Sequence, residues 1–156
     1  WRGRYDTART HLAGLETGIV GGVCVLLYNV FGSLAAGEAL WGAPERIAAA
    51  AFGRAILRDD AVAAAAGMSA IFFAAGVLGM GFGALVRWRW AFRRVILLGP
   101  LVALASYFLL FEWWAGGPGA AGTRRSLVAA HVVFGLVLAM YPRFLHALRR
   151  AMDGTF

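Results

Sequence analysis

Apolar residues in this chain fall in four long runs, roughly 13–36, 61–86, 91–114 and 124–145, and most of the charge is collected between and beyond them. Crossing ~30 Å of hydrocarbon takes about 20 residues at 1.5 Å each, and a helix satisfies every backbone amide within itself, so each run suffices for one crossing. The pattern predicts an all-α membrane protein: four transmembrane helices in a bundle, making a single membrane domain over 1–156.

The longest connection, about 37–60, is patterned rather than plainly polar. Pro44 suits the first turn of a helix, and Ile47, Ala48, Ala51, Phe52, Ala55 and Ile56 then recur at helical spacing, with Glu45, Arg46, Arg54 and Arg58 between them. This predicts a short amphipathic helix over about 44–57, lying at the outer membrane surface between the first two spans or under a partner's extramembrane domain. The other outer connection, Gly116-Gly117-Pro118-Gly119, reads as a flexible turn.

Basic residues decide the orientation. Ten arginines (Arg2, Arg4, Arg9, Arg87, Arg89, Arg93, Arg94, Arg143, Arg149, Arg150) belong to one side and five (Arg46, Arg54, Arg58, Arg124, Arg125) to the other. The richer side belongs in the cytoplasm, so both termini are expected inside a bacterial cytoplasmic (inner) membrane. Trp41, Trp113 and Trp114 then fall at the outer interface, and Trp88, Trp90 and Tyr141 at the inner one. Arg87, Trp88, Arg89, Trp90, Arg93 and Arg94 form a tight inner hairpin whose arginines meet anionic headgroups, which makes bound lipids an expected partner.

Composition narrows the function classes. Hydrophobic residues make up 61% of the chain and charged ones 15%, too few polar groups to cover a water-soluble domain. The formal charge of +7 does not point to nucleic acid, because the arginines sit at the ends of apolar runs and not on one exposed face. Cys24 is the single cysteine, which excludes an intrachain disulfide and a cysteine-based zinc site. A signal-peptide reading of the first run, cleaved near Ala35 or Ala36, is disfavoured because the run exceeds the usual apolar core.

Several residues stand out within the spans. Gly14, Gly18 and Gly22 repeat every four residues on the first, and Ala75, Gly79 and Gly83 do so on the second. Such ridges let helix backbones approach closely where lipid supplies no hydrophobic drive, either within the chain or against another subunit. His131 lies about two turns into the fourth span. An interhelical hydrogen bond is its expected role; a haem or (bacterio)chlorophyll ligand is the minority reading, since His11 and His146 lie at the inner side and Met68 alone shares its depth. Glu16, just inside the inner end of the first span, is a possible intramembrane ionisable group, expected to be hydrated or paired with an arginine. Together with Glu112, Asn29 and Ser33 it makes no continuous polar file across the membrane.

No phosphate loop, HExxH pair, nucleophile elbow or Cys/His cluster occurs, so neither catalytic nor metal-binding residues are assigned and no enzyme is expected. Three stretches are Gly18-Ile19-Val20-Gly21-Gly22-Val23, Ala43-Pro44-Glu45-Arg46-Ile47-Ala48-Ala49-Ala50-Ala51-Phe52-Gly53 and His131-Val132-Val133-Phe134-Gly135-Leu136-Val137-Leu138. With these the chain resembles a group of small, uncharacterised four-helix bacterial membrane proteins, which implies the four-span architecture and no activity. The expected role is a non-catalytic accessory or scaffold subunit of a larger membrane complex, most plausibly a respiratory or photosynthetic electron-transfer assembly. Its partners would be other integral membrane subunits and lipids, with no soluble small-molecule substrate and no cofactor. A haem- or chlorophyll-binding protein using His131, and a small transporter or channel component with Glu16 in its path, are the alternatives.

Overall fold

A computed structural model of the chain describes residues 2–86, 92–109 and 121–154, which are helical apart from short turns and include no strand. The order is α1 (Arg2–Ala35), α2 (Gly42–Phe52), a 3₁₀ turn (Arg54–Arg58), α3 (Asp60–Val86), α4 (Phe92–Tyr107), α5 (Ala121–Leu138) and α6 (Tyr141–Asp153). Among the described residues, three stretches are long and apolar enough to cross a membrane: Thr7–Ala35, Asp60–Val86 and Val128–Met152. The third apolar run appears as the shorter helix Val95–Tyr107, and its remainder from 110 onward lies outside the described residues.

Local chemistry sets the helix ends. At the start of α3 the Asp59 carboxylate accepts the Val62 N–H at 3.1 Å, and Asp60 places a negative charge in the first turn, where the helix dipole favours it. The amphipathic helix expected over 44–57 is shorter than that. It stops at Phe52, because Gly53 takes φ +88°, a left-handed conformation that other residues rarely adopt, and the chain re-forms only a 3₁₀ turn. Ala43, Pro44 and Ala48 are covered by the rest of the chain, and Phe52 is 60% exposed. α2 is therefore seated on α3 through its first two turns.

α1 begins at Arg2, so the polar residues before the apolar run wind into the same helix. The fourth run does not continue unbroken past 138; it turns at Ala139-Met140 and restarts as α6. Pro142 explains the break, since it has no N–H to give the Leu138 carbonyl and its ring crowds that group. Met140 N–H bonds back to Val137 at 2.9 Å across the turn, a tighter 3₁₀-type link.

α1 is the central element. One of its sides packs along α3 and another along α5 and α6, while α4 packs on α5. Among the described residues α3 and α4 hardly touch, although they are consecutive in the chain. α3 runs antiparallel to α1: rising numbers on α1 (Thr10, Gly14, Gly18) meet falling ones on α3 (Gly83, Gly79, Ala75). The core between these helices contains Ala13, Phe82, Val86, Val95, Ala103, Phe134, Leu138, Tyr141 and Leu145, with the Phe82 and Tyr141 rings edge-to-face at 6.0 Å. Since Thr10 of α1 and Tyr141 of α6 share this core, the start of α1 and α6 lie at the same end of the described residues.

Candidate functional site

The two ridges of small residues face each other inside the chain. A Cβ on Gly18 would fall on the Ala75 carbonyl oxygen, one on Gly22 would lie 3.1 Å from the Ala75 Cβ, and one on Gly83 would meet the Thr10 carbonyl at 2.7 Å. These glycines therefore join α1 to α3 and are covered by the chain itself. Three more glycines act alike at other crossings. Gly99 and Gly135 bring α4 and α5 together beside Pro100, and Gly67 receives the Pro44 carbonyl where α2 meets α3.

Polar side chains in the spans turn back on their own helices. Thr17, fully buried, donates its hydroxyl to the Ala13 carbonyl at 2.6 Å, Ser106 donates to Ala103 at 2.7 Å and Ser69 to Ala65 at 2.8 Å. Such bonds satisfy hydroxyls without linking helices. At the opposite end of the core from α2, the Tyr141 hydroxyl is buried within reach of the Thr10 side chain and of the Arg149 charge.

His131 lies elsewhere, on a cleft between α1, α3 and α5 that is roofed by Ile47 of α2. Gly22, Val25, Ala70, Ala74, Leu78 and Phe134 make most of its wall, and Asn29 and His131 are its polar members. The cleft exists because α3 and α5 pack on different sides of α1 and leave a seam between them. The His131 ring is half-buried and stands edge-to-face against Tyr107 of α4, with centroids 5.2 Å apart. Asn29 is 6% exposed and donates one amide N–H to the Val25 carbonyl at 3.0 Å. Its carbonyl oxygen and second N–H have no partner among the described residues. The cleft is half open, with a volume of about 110 Å³.

Glu16 lies on the outer surface of α1, in one stripe with exposed Leu12, Ile19, Val20, Val23 and Leu27. It makes no hydrogen bond or ion pair among the described residues, and it sits nine residues beyond Thr7, about 13 Å along the axis. Arg87, Trp88, Arg89 and Trp90 lie outside the described residues, as do Glu112, Trp113, Trp114 and the 116–119 turn; Arg93 and Arg94 fall in the first turn of α4. No group of three or more His, Cys, Asp or Glu able to hold a metal occurs among the described residues.

The cleft and the crossings at Gly99, Gly135 and Gly67 have no periodic signature, so sequence reasoning missed them. The signal available was the coincidence of Asn29 and His131 in two spans that α1 brings side by side. The chain matches no protein-family model, no curated protein and no solved structure.

Proposed function

We propose that this chain is a non-catalytic accessory subunit of a larger bacterial membrane complex, most plausibly a respiratory or photosynthetic electron-transfer assembly in the cytoplasmic membrane. In this reading α4 completes a four-span bundle with α1, α3 and α5–α6, both termini face the cytoplasm by the arginine distribution, and the inner hairpin around Arg87 and Arg94 holds lipid headgroups.

The observation that carries it is the position of Glu16. A carboxylate on an outward apolar stripe, among Leu12, Ile19 and Val20, is costly against lipid and is retained where a neighbour supplies charge or hydrogen bonds. The chain's own small-residue ridges are already used between α1 and α3, so the outer face of α1 is the surface left for another subunit. The remaining exposed faces, with Phe73 75% and Leu97 76% accessible, suit acyl chains.

Native gels of membranes extracted in a mild detergent test this reading. The chain is expected to migrate with stoichiometric partners, and Glu16→Leu is expected to release it while leaving its thermal unfolding unchanged. Migration of the wild-type chain as a lone monomer from native membranes overturns the proposal.

A further inference from the structure

The end of the molecule built from the start of α1 and from α6 carries a surplus of positive charge. Arg2, Arg4 and Arg9 on α1 and Arg143, Arg149 and Arg150 on α6 are matched in the same two stretches only by Asp6 and Asp153. Six cations against two carboxylates leave four in excess, however the contacts within the chain are distributed. Glu38, Glu45, Asp59 and Asp60 belong to the connection around α2, and Glu16 lies two turns further along α1. Like charges packed across one helix joint repel, so the joint calls for an anion from outside the chain.

The level of the charge shows where that anion lies. A Cβ on Gly83 would meet both the Thr10 carbonyl oxygen and the Tyr141 ring, so the three residues share one level, and α3 stays apolar from there to the end of its candidate span at Val86. Phe134 meets Gly21, further up α1, so the chain passes outward through Tyr141 as its numbers rise. Arg9 is one residue outward of the shared level and Arg143 two, about 1.5 and 3 Å at ordinary helix rise, which sets both at the apolar edge. His146 and Arg150 follow at no more than about 7.5 and 13.5 Å. A headgroup layer is about 5–7.5 Å deep, so α6 carries its cations from the hydrocarbon edge through that layer.

The faces fit as well. α6 turns Tyr141 and Leu145 into the core, with Phe144 and Leu148 packed against it, while Arg143, His146 and Arg150 fall on the opposite face and are exposed. Arg149 is half-buried at the border between the two faces, and its charge acts on the Tyr141 hydroxyl, which also lies within reach of Thr10, the neighbour of Arg9. The Nε atoms of Arg9 and Arg149 are buried, so both guanidinium groups are held at the joint.

We infer that the joint between α1 and α6 binds the phosphodiester headgroup of an anionic phospholipid, with Arg9, Arg143, Arg149 and Arg150 supplying the charge, and that the bound headgroup clamps α6 onto α1 below the break at Ala139-Met140. Arginine suits this role because its planar fork meets a phosphate through two parallel hydrogen bonds. A free phosphate has the same charge but no acyl chains to hold it at this level. The site is independent of the subunit role and of which side of the membrane is cytoplasmic.

The full-length protein in a neutral detergent, titrated with dioctanoyl phosphatidylglycerol, dioctanoyl phosphatidylcholine or inorganic phosphate, tests both parts. Native mass spectrometry counts bound lipid, and hydrogen exchange reads the α6 amides. Phosphatidylglycerol is expected to bind at least tenfold tighter than phosphatidylcholine and to slow exchange in α6. Arg149→Gln and Arg150→Gln are each expected to weaken it about fivefold, the size of one basic residue near anionic lipid, and the two together with Arg143→Gln to abolish the preference. Arg54→Gln with Arg58→Gln, at the other end, is expected to leave it intact. Equal binding of the two lipids by the wild-type chain overturns the site without recourse to any variant. So does a preference that survives in the triple variant, or one lost equally in the Arg54 and Arg58 variant. Equal protection by inorganic phosphate overturns the lipid as its source, and α6 exchange that phosphatidylglycerol leaves unchanged overturns the clamp.

Discussion

The backbones of Gly14 and Gly79 meet with no room for a side chain between them: a Cβ added to either residue would fall on the carbonyl oxygen of the other. In lipid, where burying apolar surface brings helices no closer together, such backbone contact is a main source of attraction between α1 and α3. Gly79→Leu is therefore expected to destabilise the protein by about 3 kcal/mol, the upper range for overpacking, because backbone and not a flexible side chain must move. Gly81, two residues on, faces open space, and Gly81→Leu is expected to change stability by less than about 0.5 kcal/mol. Unfolding in mixed micelles compares the two variants. Equal losses would mean that the crossing does not set the effect, since leucine favours a helix more than glycine does at both positions.

A similar contact holds α2 in place. A Cβ on Gly67 would land on the Pro44 carbonyl, so Gly67→Leu is expected to lift the first turns of α2 away from α3 while the α1–α3 crossing persists. Arg46, Arg54 and Arg58 are exposed in this connection, and the exposed Glu38–Arg46 ion pair at 3.2 Å adds little to its retention. Trypsin needs a locally opened chain, so cleavage at these three arginines is expected to run several-fold faster in the variant. Unchanged digestion would show that α2 is held by something other than this contact.

How much of this was legible follows from periodicity. Gly14, Gly18, Gly22 and Ala75, Gly79, Gly83 were readable because a repeat of four puts every member on one helix face, and the long apolar runs were readable from length alone. Gly67, Gly99 and Gly135 were not, since an isolated glycine in an apolar span has the same appearance whether it packs or faces lipid. The end of α2 was missed because Ala55 and Ile56 keep the helical rhythm going past Gly53, whose positive φ leaves no trace in the spacing. The bend at Ala139-Met140 was hidden by the apolar run around it, although Pro142 marked the place. His131 and Asn29 were each visible, but the cleft that unites them is made by three helices and belongs to none.

The Phe82–Tyr141 pair joins α3 to α6 at the end of the core away from α2. Tyr141 is 1% exposed, and its ring contributes packing plus an edge-to-face contact. Tyr141→Ala is expected to cost about 3–5 kcal/mol, the range for emptying an aromatic site. Tyr141→Phe keeps the ring and removes only the hydroxyl near Thr10, so its expected cost is about 1 kcal/mol or less. Thermal unfolding of the two variants in one detergent separates the ring from the hydroxyl. A Phe variant as unstable as the Ala variant would mean that the hydroxyl holds α1 and α6 together.

Orientation is open to a direct experiment. Thr10 and Tyr141 meet in one core, and the proposed topology puts both termini on the cytoplasmic side. That proposal rests on the sequence count of ten arginines expected on one side against five on the other. Green fluorescent protein, which folds only in the cytoplasm on this export route, is expected to fluoresce when fused after Phe156, and alkaline phosphatase fused there is expected to stay inactive. Phosphatase inserted in the 37–41 turn before α2 is expected to be active. Replacing Arg143, Arg149 and Arg150 with Asn removes three of the ten and leaves seven against five, a bias that still favours the same side. The variant is therefore expected to keep its orientation with a reduced margin, seen as a minor phosphatase-active fraction at the C-terminus. Full activity of the C-terminal phosphatase fusion on the wild-type chain would place the arginine-rich end outside and reverse the assignment of α2 and the inner hairpin to their sides.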